Sequence, residues 1–294
     1  MAGKTISLVL GSGGARGLAH IGVIRWIDEH GLEIRSIAGS SMGALVGGIY
    51  AAGKLDIYER WVCALEKIDV LRLLDLSFPS TGLIKGDRVI TVLKDLIGDR
   101  NIEDLALTFT AVATDIHAQK EVWINEGPLF DAIRASIAIP SLFTPHEYRG
   151  RQLFDGGLVN PIPIAPTLND HNDLTIAVNL SARPDPEPRP PQRLALTGNG
   201  RYHQKIASFI DSLQQRLGAE AAQDLNILEV LSKSNETMQN TIARLKIAAY
   251  SPDATVDIPR NIGTFYEFYR AAEFIEIGYS HAAKALGHLL PAAH

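Results

Sequence analysis

The sequence predicts an α/β fold with a mainly parallel central sheet flanked by helices, and with a helical C-terminal extension. Three observations lead to this prediction. Short apolar runs that stop at a glycine alternate with segments of helical periodicity along residues 5–180. Because such strands are apolar throughout, both faces of their sheet must be covered. The chain has 294 residues, 46% of them hydrophobic, which is enough to bury a large core.

The first strand is predicted at residues 6–10, where an apolar run stops at Gly11. A glycine-rich loop follows over residues 11–17. Apolar residues then recur at helical spacing from Leu18 to Ile27, and Gly31 is a typical helix stop. The start of the chain therefore predicts a strand, a glycine loop and a helix in succession.

The same unit then recurs. A second strand is predicted at residues 34–38, a turn at 39–43 and a helix at 44–52, which ends before Gly53. Further apolar runs predict strands at residues 107–114 and 174–179, and residues 152–154 are also strand-like. A helix is predicted at residues 129–137, close before Pro140.

The composition changes after Ala182, where residues 183–193 contain five prolines and several charges. This segment is expected to be an exposed, extended connector between a domain at residues 5–182 and a mainly helical extension at residues 194–294. An amphipathic helix at residues 206–217 is expected to pack on the core, with a position on a membrane or over the site as the alternative. Helical character continues to about residue 249, a turn lies at 251–253, and a last helix is predicted at 265–286. We expect the extension to pack on the first domain.

Composition and charge make several classes of protein less expected. The net charge of −5 gives no reason to expect bulk nucleic-acid binding. Cys63 is the only cysteine, so no internal disulfide forms and a reducing compartment is compatible with the sequence. No apolar stretch reaches the roughly 18 residues of a spanning helix, and the first apolar run is too short for a secretory signal. These features predict a cytoplasmic protein whose membrane contact is peripheral, at the inner face of the membrane.

A serine stands at the sharpest predicted turn. Residues 39–43 read Gly-Ser-Ser-Met-Gly, a G-x-S-x-G pattern between a strand and a helix, and Ser41 is its central serine. Such a turn presents a serine hydroxyl above the sheet, where it can act as a nucleophile. The alternative is a simple strand-to-helix turn, because glycine and serine are common in turns.

The glycine loop at residues 11–17 has three interpretations. At the start of a helix its backbone N–H groups favour negative charge, so it can form an oxyanion hole. A dinucleotide loop fits less well, because Arg16 stands where that motif has its third glycine and no suitable acid follows about 20 residues later. A Walker-type phosphate loop is excluded, since no Gly-Lys-Ser or Gly-Lys-Thr follows. A tight turn without a ligand is the third interpretation.

An aspartate at a strand end is the last candidate. Asp155 follows the strand-like residues 152–154 and precedes Gly156 and Gly157. Such a residue can face a cleft, although an Asp-Gly pair alone is more often a hairpin turn.

Together and in this order, the three motifs resemble those of the patatin-like phospholipases. The resemblance covers residues 5–180 and includes the segments at 135–140 (Ala-Ser-Ile-Ala-Ile-Pro) and 155–161 (Asp-Gly-Gly-Leu-Val-Asn-Pro). It is closest to the bacterial and neuropathy-target-esterase branch, whose members include lysophospholipases. One departure is Ser12, which stands where many members have the first glycine of the oxyanion loop.

The resemblance implies a patatin-like catalytic domain that hydrolyses the carboxylic esters of phospholipids or lysophospholipids through an acyl-enzyme. It implies a Ser-Asp dyad of Ser41 and Asp155, and an oxyanion hole formed by the N–H groups of Gly13 and Gly14. Arg16 would support the loop or contact a lipid phosphate. The resemblance also assigns the elbow and motif glycines, which are Gly17, Gly39, Gly43, Gly156 and Gly157. No metal or cofactor is expected, and the partner is a lipid substrate.

Alternatives remain open at the level of the sequence. The same dyad can serve a general carboxylesterase or an acyltransferase, and the glycine loop alone can serve a non-catalytic anion-binding protein. A serine–acid–histidine triad is a further possibility, since His171, His203 and His281 follow Asp155 in the required order. His146 is another candidate, whereas His20 is expected to be a buried or solvent-facing histidine without a catalytic role.

Overall fold

A computed structural model of the chain describes residues 4–73, 86–140, 142–186 and 219–290. Its strands are β1 (Thr5–Leu10), β2 (Glu33–Ser40), β3 (Thr108–Asp115), β4 (Lys120–Ile124), β5 (His146–Tyr148), β6 (Arg151–Asp155), β7 (Leu174–Ala182) and β8 (Ala254–Pro259). They form one sheet with the order β5-β6-β3-β2-β1-β7-β8, and β4 also pairs with β3. Five neighbouring strands of this order, β3-β2-β1-β7-β8, are parallel to one another. The strands β4, β5 and β6 pair in antiparallel fashion. The predicted mainly parallel α/β sheet is confirmed.

Eight α-helices lie in the described residues. They are α1 (Ala19–Glu29), α2 (Met42–Ala51), α3 (Leu55–Cys63), α4 (Lys67–Leu73), α5 (Asp87–Ile97), α6 (Leu129–Ser136), α7 (Ala219–Tyr250) and α8 (Ala271–Leu286). Short 3-10 turns lie at Gly14–Leu18, Ile102–Asp104, Gly156–Leu158, Ala165–Thr167, Phe268–Arg270 and Gly287–Leu289. None of the helices in this described part is long and apolar enough to cross a membrane.

Both faces of the sheet are covered, as the apolar strands require. Alternate residues of β1 point to opposite faces. Ile6, Leu8 and Leu10 belong to the larger core, which also contains the apolar sides of α1, α2 and α8. Val9 belongs to the core on the other face, together with Ala243 of α7.

The strands and helices predicted over residues 6–179 all occur, with bounds that differ by a few residues. Helix α1 begins at Ala19 rather than Leu18 because the preceding residues, Gly14–Leu18, form a 3-10 turn. The helices α3, α4 and α5 and the strands β4 and β5 were not predicted. The two strands are short, and the patterns of strands this brief are weak. Helix α5 is as long as α1, with 11 residues, and buries Ile90, Leu93 and Ile97 at helical spacing, so its pattern was present in the sequence.

The predicted helix at residues 265–286 needs a correction, because it begins at Ala271. The backbone carbonyl of Phe265 accepts a hydrogen bond of 2.9 Å from the N–H of Ala15, which holds this segment against the glycine loop. Arg270 then forms ion pairs with Glu267 and Glu273 at the start of α8. The residues that precede α8 therefore face the loop instead of continuing a helix.

The C-terminal extension also contributes a strand that was not predicted. After α7 the chain forms β8, which pairs in parallel with β7 at the edge of the sheet. The predicted amphipathic helix at residues 206–217 and most of the proline-rich connector lie outside the described residues. The division into domains at residues 183–193 therefore stays a prediction.

Candidate active site

Ser41 occupies the sharp turn between β2 and α2. Its backbone has φ 55° and ψ −122°, a conformation that residues other than glycine rarely adopt. The flanking glycines make the turn possible. A Cβ atom on Gly43 would overlap the carbonyl oxygen of Leu10, and one on Gly39 would lie 2.5 Å from the backbone nitrogen of Ala44. Since the residue is held in this conformation by its surroundings, the turn has the character of a nucleophile elbow.

Strand register brings Asp155 to Ser41. Ser40, at the end of β2, lies opposite Val112 of β3, and Asp155, at the end of β6, lies opposite Ala113. Strand β4 pairs with both Val112 and Ala113 along the other edge of β3. Strands β2 and β6 therefore lie one after the other along the same side of β3, and the end of β2 meets the end of β6.

The side chains of Ser41 and Asp155 are in direct contact. The Ser41 hydroxyl donates a hydrogen bond of 2.5 Å to Oδ2 of Asp155, and the N–H of Gly157 donates one of 2.7 Å to Oδ1. Ser41 is 3% exposed and Asp155 is 2% exposed. Burial raises the pKa of Asp155 to about 7, because desolvation outweighs the opposing hydrogen bonds from Ser41 and Gly157. A carboxylate with such a pKa is a stronger base than an ordinary aspartate.

Ser136, at the end of α6, supports this contact and was not predicted as a site residue. Its hydroxyl accepts a hydrogen bond of 2.9 Å from the Ser41 N–H and donates one of 2.6 Å to the carbonyl of Val112. Ser136 is fully buried. It thus fixes the backbone of Ser41 to β3. The only signal in the sequence was its place within the segment at residues 135–140.

Asp155 is fixed from the same two elements. Its N–H donates to the carbonyl of Ala138 at 2.9 Å, and its carbonyl accepts from the Thr114 hydroxyl at 2.8 Å. The backbone on both sides of the carboxylate is therefore held by β3 and by the segment that follows α6.

The glycine loop leaves two backbone donors open. The N–H of Ser12 donates to the carbonyl of Pro161 and that of Ala15 to the carbonyl of Phe265. Between them, the N–H groups of Gly13 and Gly14 have no acceptor in the part of the chain that the structure describes. Gly14 has φ +56° and lines the same cavity as Ser41. Two free donors beside a serine are suited to an oxyanion, and this role stays a prediction.

The remaining motif glycines bring the three motifs into contact. A Cβ atom on Gly17 would overlap the side chain of Met42, the residue after Ser41. One on Gly156 would lie 2.7 Å from Oγ of Ser40. In the same way, Gly157 lies against Ser12 of the glycine loop. Each of these glycines is thus placed where two motifs meet, and a larger side chain would separate them.

Arg16 is buried behind the loop. Its Nε donates to the carbonyl of Gly13 at 3.3 Å, and its Nη1 donates to the carbonyl of Arg260 at 2.7 Å. The same Nη1 forms an ion pair of 3.0 Å with Glu236 of α7. Because these bonds engage the guanidinium with the protein itself, we propose the loop-support role for Arg16 rather than a phosphate contact.

An apolar cavity of about 120 Å³ opens beside Ser41. Its walls include residues of α3 and α5, among them Trp61, Val62 and Leu93. Phe265 and Tyr266, from the segment before α8, line it as well. Gly14 and Ser41 also line it. The cavity offers an acyl chain a water-poor surface that leads directly to the serine.

None of the described histidines hydrogen-bonds with Ser41 or Asp155. His20 is fully buried, its Nε2 donates to the carbonyl of Gly11 at 2.8 Å, and burial lowers its pKa to about 4. It is therefore a neutral structural histidine. His203 lies outside the described residues.

The other three histidines lie elsewhere in the fold. His146 is in β5 and His281 in α8, and burial lowers the pKa of each. His171 lines a polar depression with Thr5 and Thr108, the first residues of β1 and β3. These are the amino ends of the parallel strands, whereas Ser41 follows the carboxyl end of β2. His171 therefore lies at the opposite end of the strands from Ser41. In the described residues no group of three or more histidine, cysteine, aspartate or glutamate side chains is arranged to hold a metal.

The sequence has relatives that cover most of its length. The family model described as Patatin-like phospholipase matches residues 8–168. An uncharacterized NTE family protein of Mycobacterium tuberculosis is 38% identical over 96% of this chain and 91% of its own length. The Lysophospholipase NTE1 of Kluyveromyces lactis is 29% identical over 98% of this chain and 20% of its own length. That of Yarrowia lipolytica is 32% identical over 64% of this chain and 14% of its own length.

Proposed function

The chain belongs to the patatin-like phospholipase family, and from this premise we propose that it hydrolyses acyl esters of lysophospholipids with a Ser41–Asp155 dyad. The observation that carries the proposal is the 2.5 Å hydrogen bond to a buried Asp155 from Ser41, which lines an apolar cavity. A nucleophile and a base in direct contact need no intervening histidine. The names of the yeast relatives favour a lipid with one acyl chain over a diacyl lipid.

In the first half of the reaction, Oγ of Ser41 attacks the ester carbonyl carbon while its proton passes to Oδ2 of Asp155. The carbonyl oxygen becomes an oxyanion, which accepts hydrogen bonds from the N–H groups of Gly13 and Gly14. When the tetrahedral intermediate collapses, the bond to the alcohol oxygen breaks. The protonated Asp155 returns its proton to that oxygen, and the deacylated glycerophospho-alcohol leaves.

In the second half, a water molecule attacks the carbonyl carbon of the acyl-Ser41 ester, and Asp155 accepts a proton from that water. The same N–H groups stabilise the second oxyanion. Collapse breaks the bond to Oγ of Ser41, which takes the proton back from Asp155, and the fatty acid leaves. Each half thus uses Asp155 once as a base and once as an acid, a cycle that a pKa of about 7 suits near neutral pH.

The cavity makes binding depend on the length of the acyl chain. Each buried methylene contributes about 0.8 kcal/mol. An acyl chain whose methylenes reach the apolar lining of the cavity is therefore bound better than one too short to do so. This term separates a lipid hydrolase from a general carboxylesterase that works with the same two residues.

The test compares three substrates with the wild-type protein and Ser41→Ala. Palmitoyl lysophosphatidylcholine, a dipalmitoyl phospholipid and a soluble butyrate ester are each assayed for fatty-acid release. We expect the highest kcat/KM with the lysophospholipid and none of the three activities in Ser41→Ala. A preference for the butyrate ester would favour a general carboxylesterase, and transfer of the acyl group to an added alcohol would favour an acyltransferase.

A further inference from the structure

The Gly13–Gly14 peptide is held at its carbonyl end. The carbonyl oxygen of Gly13 and the N–H of Gly14 belong to the same planar peptide unit and point in opposite directions. Arg16 donates from Nε to this carbonyl at 3.3 Å, and Gly14 lines the cavity whereas Gly13 and Arg16 do not. Whatever fixes the Arg16 guanidinium therefore also fixes the direction of the Gly14 N–H, which points away from Arg16 on the other side of the peptide.

The Arg16 guanidinium is fixed by the C-terminal part of the chain. Glu236 of α7 forms an ion pair with it at 3.0 Å, and the carbonyl of Arg260, just after β8, accepts a bond of 2.7 Å. Arg16 is buried, so its charge needs a partner that stays close. The Glu236 side chain is 42% exposed and provides that negative charge.

A second contact from the same part of the chain acts on the next peptide. The carbonyl of Phe265 accepts the Ala15 N–H at 2.9 Å, and the Phe265 ring packs directly against Gly14. The loop is thus restrained on both sides of Gly14 by residues beyond position 168, where the match to the family model ends.

We propose that Glu236 is a positioning residue for the reaction: through Arg16 it holds the Gly13–Gly14 peptide so that the Gly14 N–H points at the oxyanion. The C-terminal segment accordingly completes a site whose chemical groups all come from the first 155 residues. This inference rests on the proposed function, because it presupposes that Gly14 donates to an oxyanion. Glu236 itself touches no reacting atom.

The experiment measures kcat and KM for palmitoyl lysophosphatidylcholine in the full-length wild type, Glu236→Gln, Arg16→Lys and the double variant. Removing one oxyanion donor costs about 10²–10³ in kcat. Glu236→Gln only loosens such a donor, so we expect kcat to fall about tenfold while KM stays within about twofold. The matched control is Glu126→Gln, which breaks an exposed ion pair with Arg149 and should leave both constants unchanged. Circular dichroism and thermal unfolding check each variant.

The double variant shows whether Glu236 acts through Arg16. If it does, the double variant should be no slower than the slower of the two single variants, because effects within one network are not additive. An unchanged kcat in Glu236→Gln, a change in KM alone, or multiplication of the two single effects would each overturn the inference. Ser41→Ala is measured in the same assay. If Ser41→Ala were as active as wild type, the proposed function itself would fail, and this result is distinct from one that overturns only the role of Glu236.

Discussion

The hydroxyl of Ser41 donates directly to the carboxylate of Asp155, with no third side chain between them. If this carboxylate is the base, Asp155→Asn should lower kcat at least about a hundredfold, the low end for a positioned general base. Asparagine keeps the shape of aspartate but cannot take the serine proton. Fatty-acid release from lysophosphatidylcholine measures the loss.

The controls for that prediction are the histidines. His20, His146, His171, His203 and His281, each replaced by Gln or Ala, should keep activity within about tenfold, which allows for packing losses. A well-folded histidine variant as inactive as Asp155→Asn would establish a triad and remove the dyad.

The second prediction concerns which of two adjacent serines reacts. A fluorophosphonate probe should label Ser41, because the elbow presents its hydroxyl to the cavity beside the free N–H groups. Ser41→Ala should lose labelling and hydrolysis together. Ser40 is fully buried, and its hydroxyl has no hydrogen-bond partner among the described residues. Ser40→Ala should therefore keep most of both, and equal labelling of wild type and Ser41→Ala would contradict the assignment.

A third prediction follows from the raised pKa of Asp155. If Asp155 is the base, it works as a carboxylate, and kcat/KM should rise with pH through an apparent pKa of about 7 and then level off. Between its ordinary pKa of 3.8 and about 7, the folded protein binds this proton more tightly than the unfolded chain. The stability contributed by the proton is therefore lost as pH rises through this window.

Asp155→Asn removes that dependence. A shift from 3.8 to about 7 corresponds to at most about 4 kcal/mol at about 1.4 kcal/mol per unit. The variant should unfold at a higher temperature than wild type at pH 8.5, with a smaller difference at pH 4.5. Thermal unfolding by circular dichroism at both pH values measures this, and a variant less stable than wild type at pH 8.5 would show that the carboxylate costs no stability.

The fourth prediction tests the strain at Ser41. A positive φ at a residue other than glycine costs about 1–3 kcal/mol, and glycine avoids most of it. Ser41→Gly should therefore be more stable than Ser41→Ala by about 1 kcal/mol, although both lack the nucleophile. Urea unfolding of the two variants gives the difference. Gly31 has a φ of +70° in open space, so Gly31→Ala imposes a positive φ on alanine without a steric clash and should also destabilise the fold.

The fifth prediction concerns contact with lipid. Tyr266 lines the cavity and is 53% exposed, which places an aromatic side chain at its rim. We expect peripheral binding without insertion, so that activity rises where lysophospholipid forms micelles and salt or alkaline washing releases the protein from membranes. Tyr266→Ser should reduce activity on micelles more than on a soluble ester. Leu168→Ser, which removes an exposed apolar side chain outside the cavity, should not, and extraction by detergent alone would contradict peripheral binding.

The sequence brings out Ser41 and Asp155 as candidates because the signals for both are local. Ser41 and Asp155 stand next to glycines that the turns require, and such short patterns are visible without a structure. The supports are distant in sequence. Arg16 and Glu236 are 220 residues apart, and no periodicity links them.

The segment before α8 shows a different limit of sequence patterns. Phe265 and Phe268 fit the apolar spacing of a helix, yet they line the cavity and precede α8, so the apolar positions there report a cavity wall and not an α-helix.

The pairing of β2 and β6 with neighbouring residues of β3 has an evolutionary consequence. The two ends that meet are anchored at Val112 and Ala113. The helices α3, α4 and α5, which wall the cavity, all belong to the stretch of chain between β2 and β3. Insertions, deletions and substitutions in residues 55–107 can therefore remodel the cavity while both anchors stay in place. Descendants of one ancestral enzyme can in this way diverge in the acyl chains they accept while their reaction chemistry remains the same.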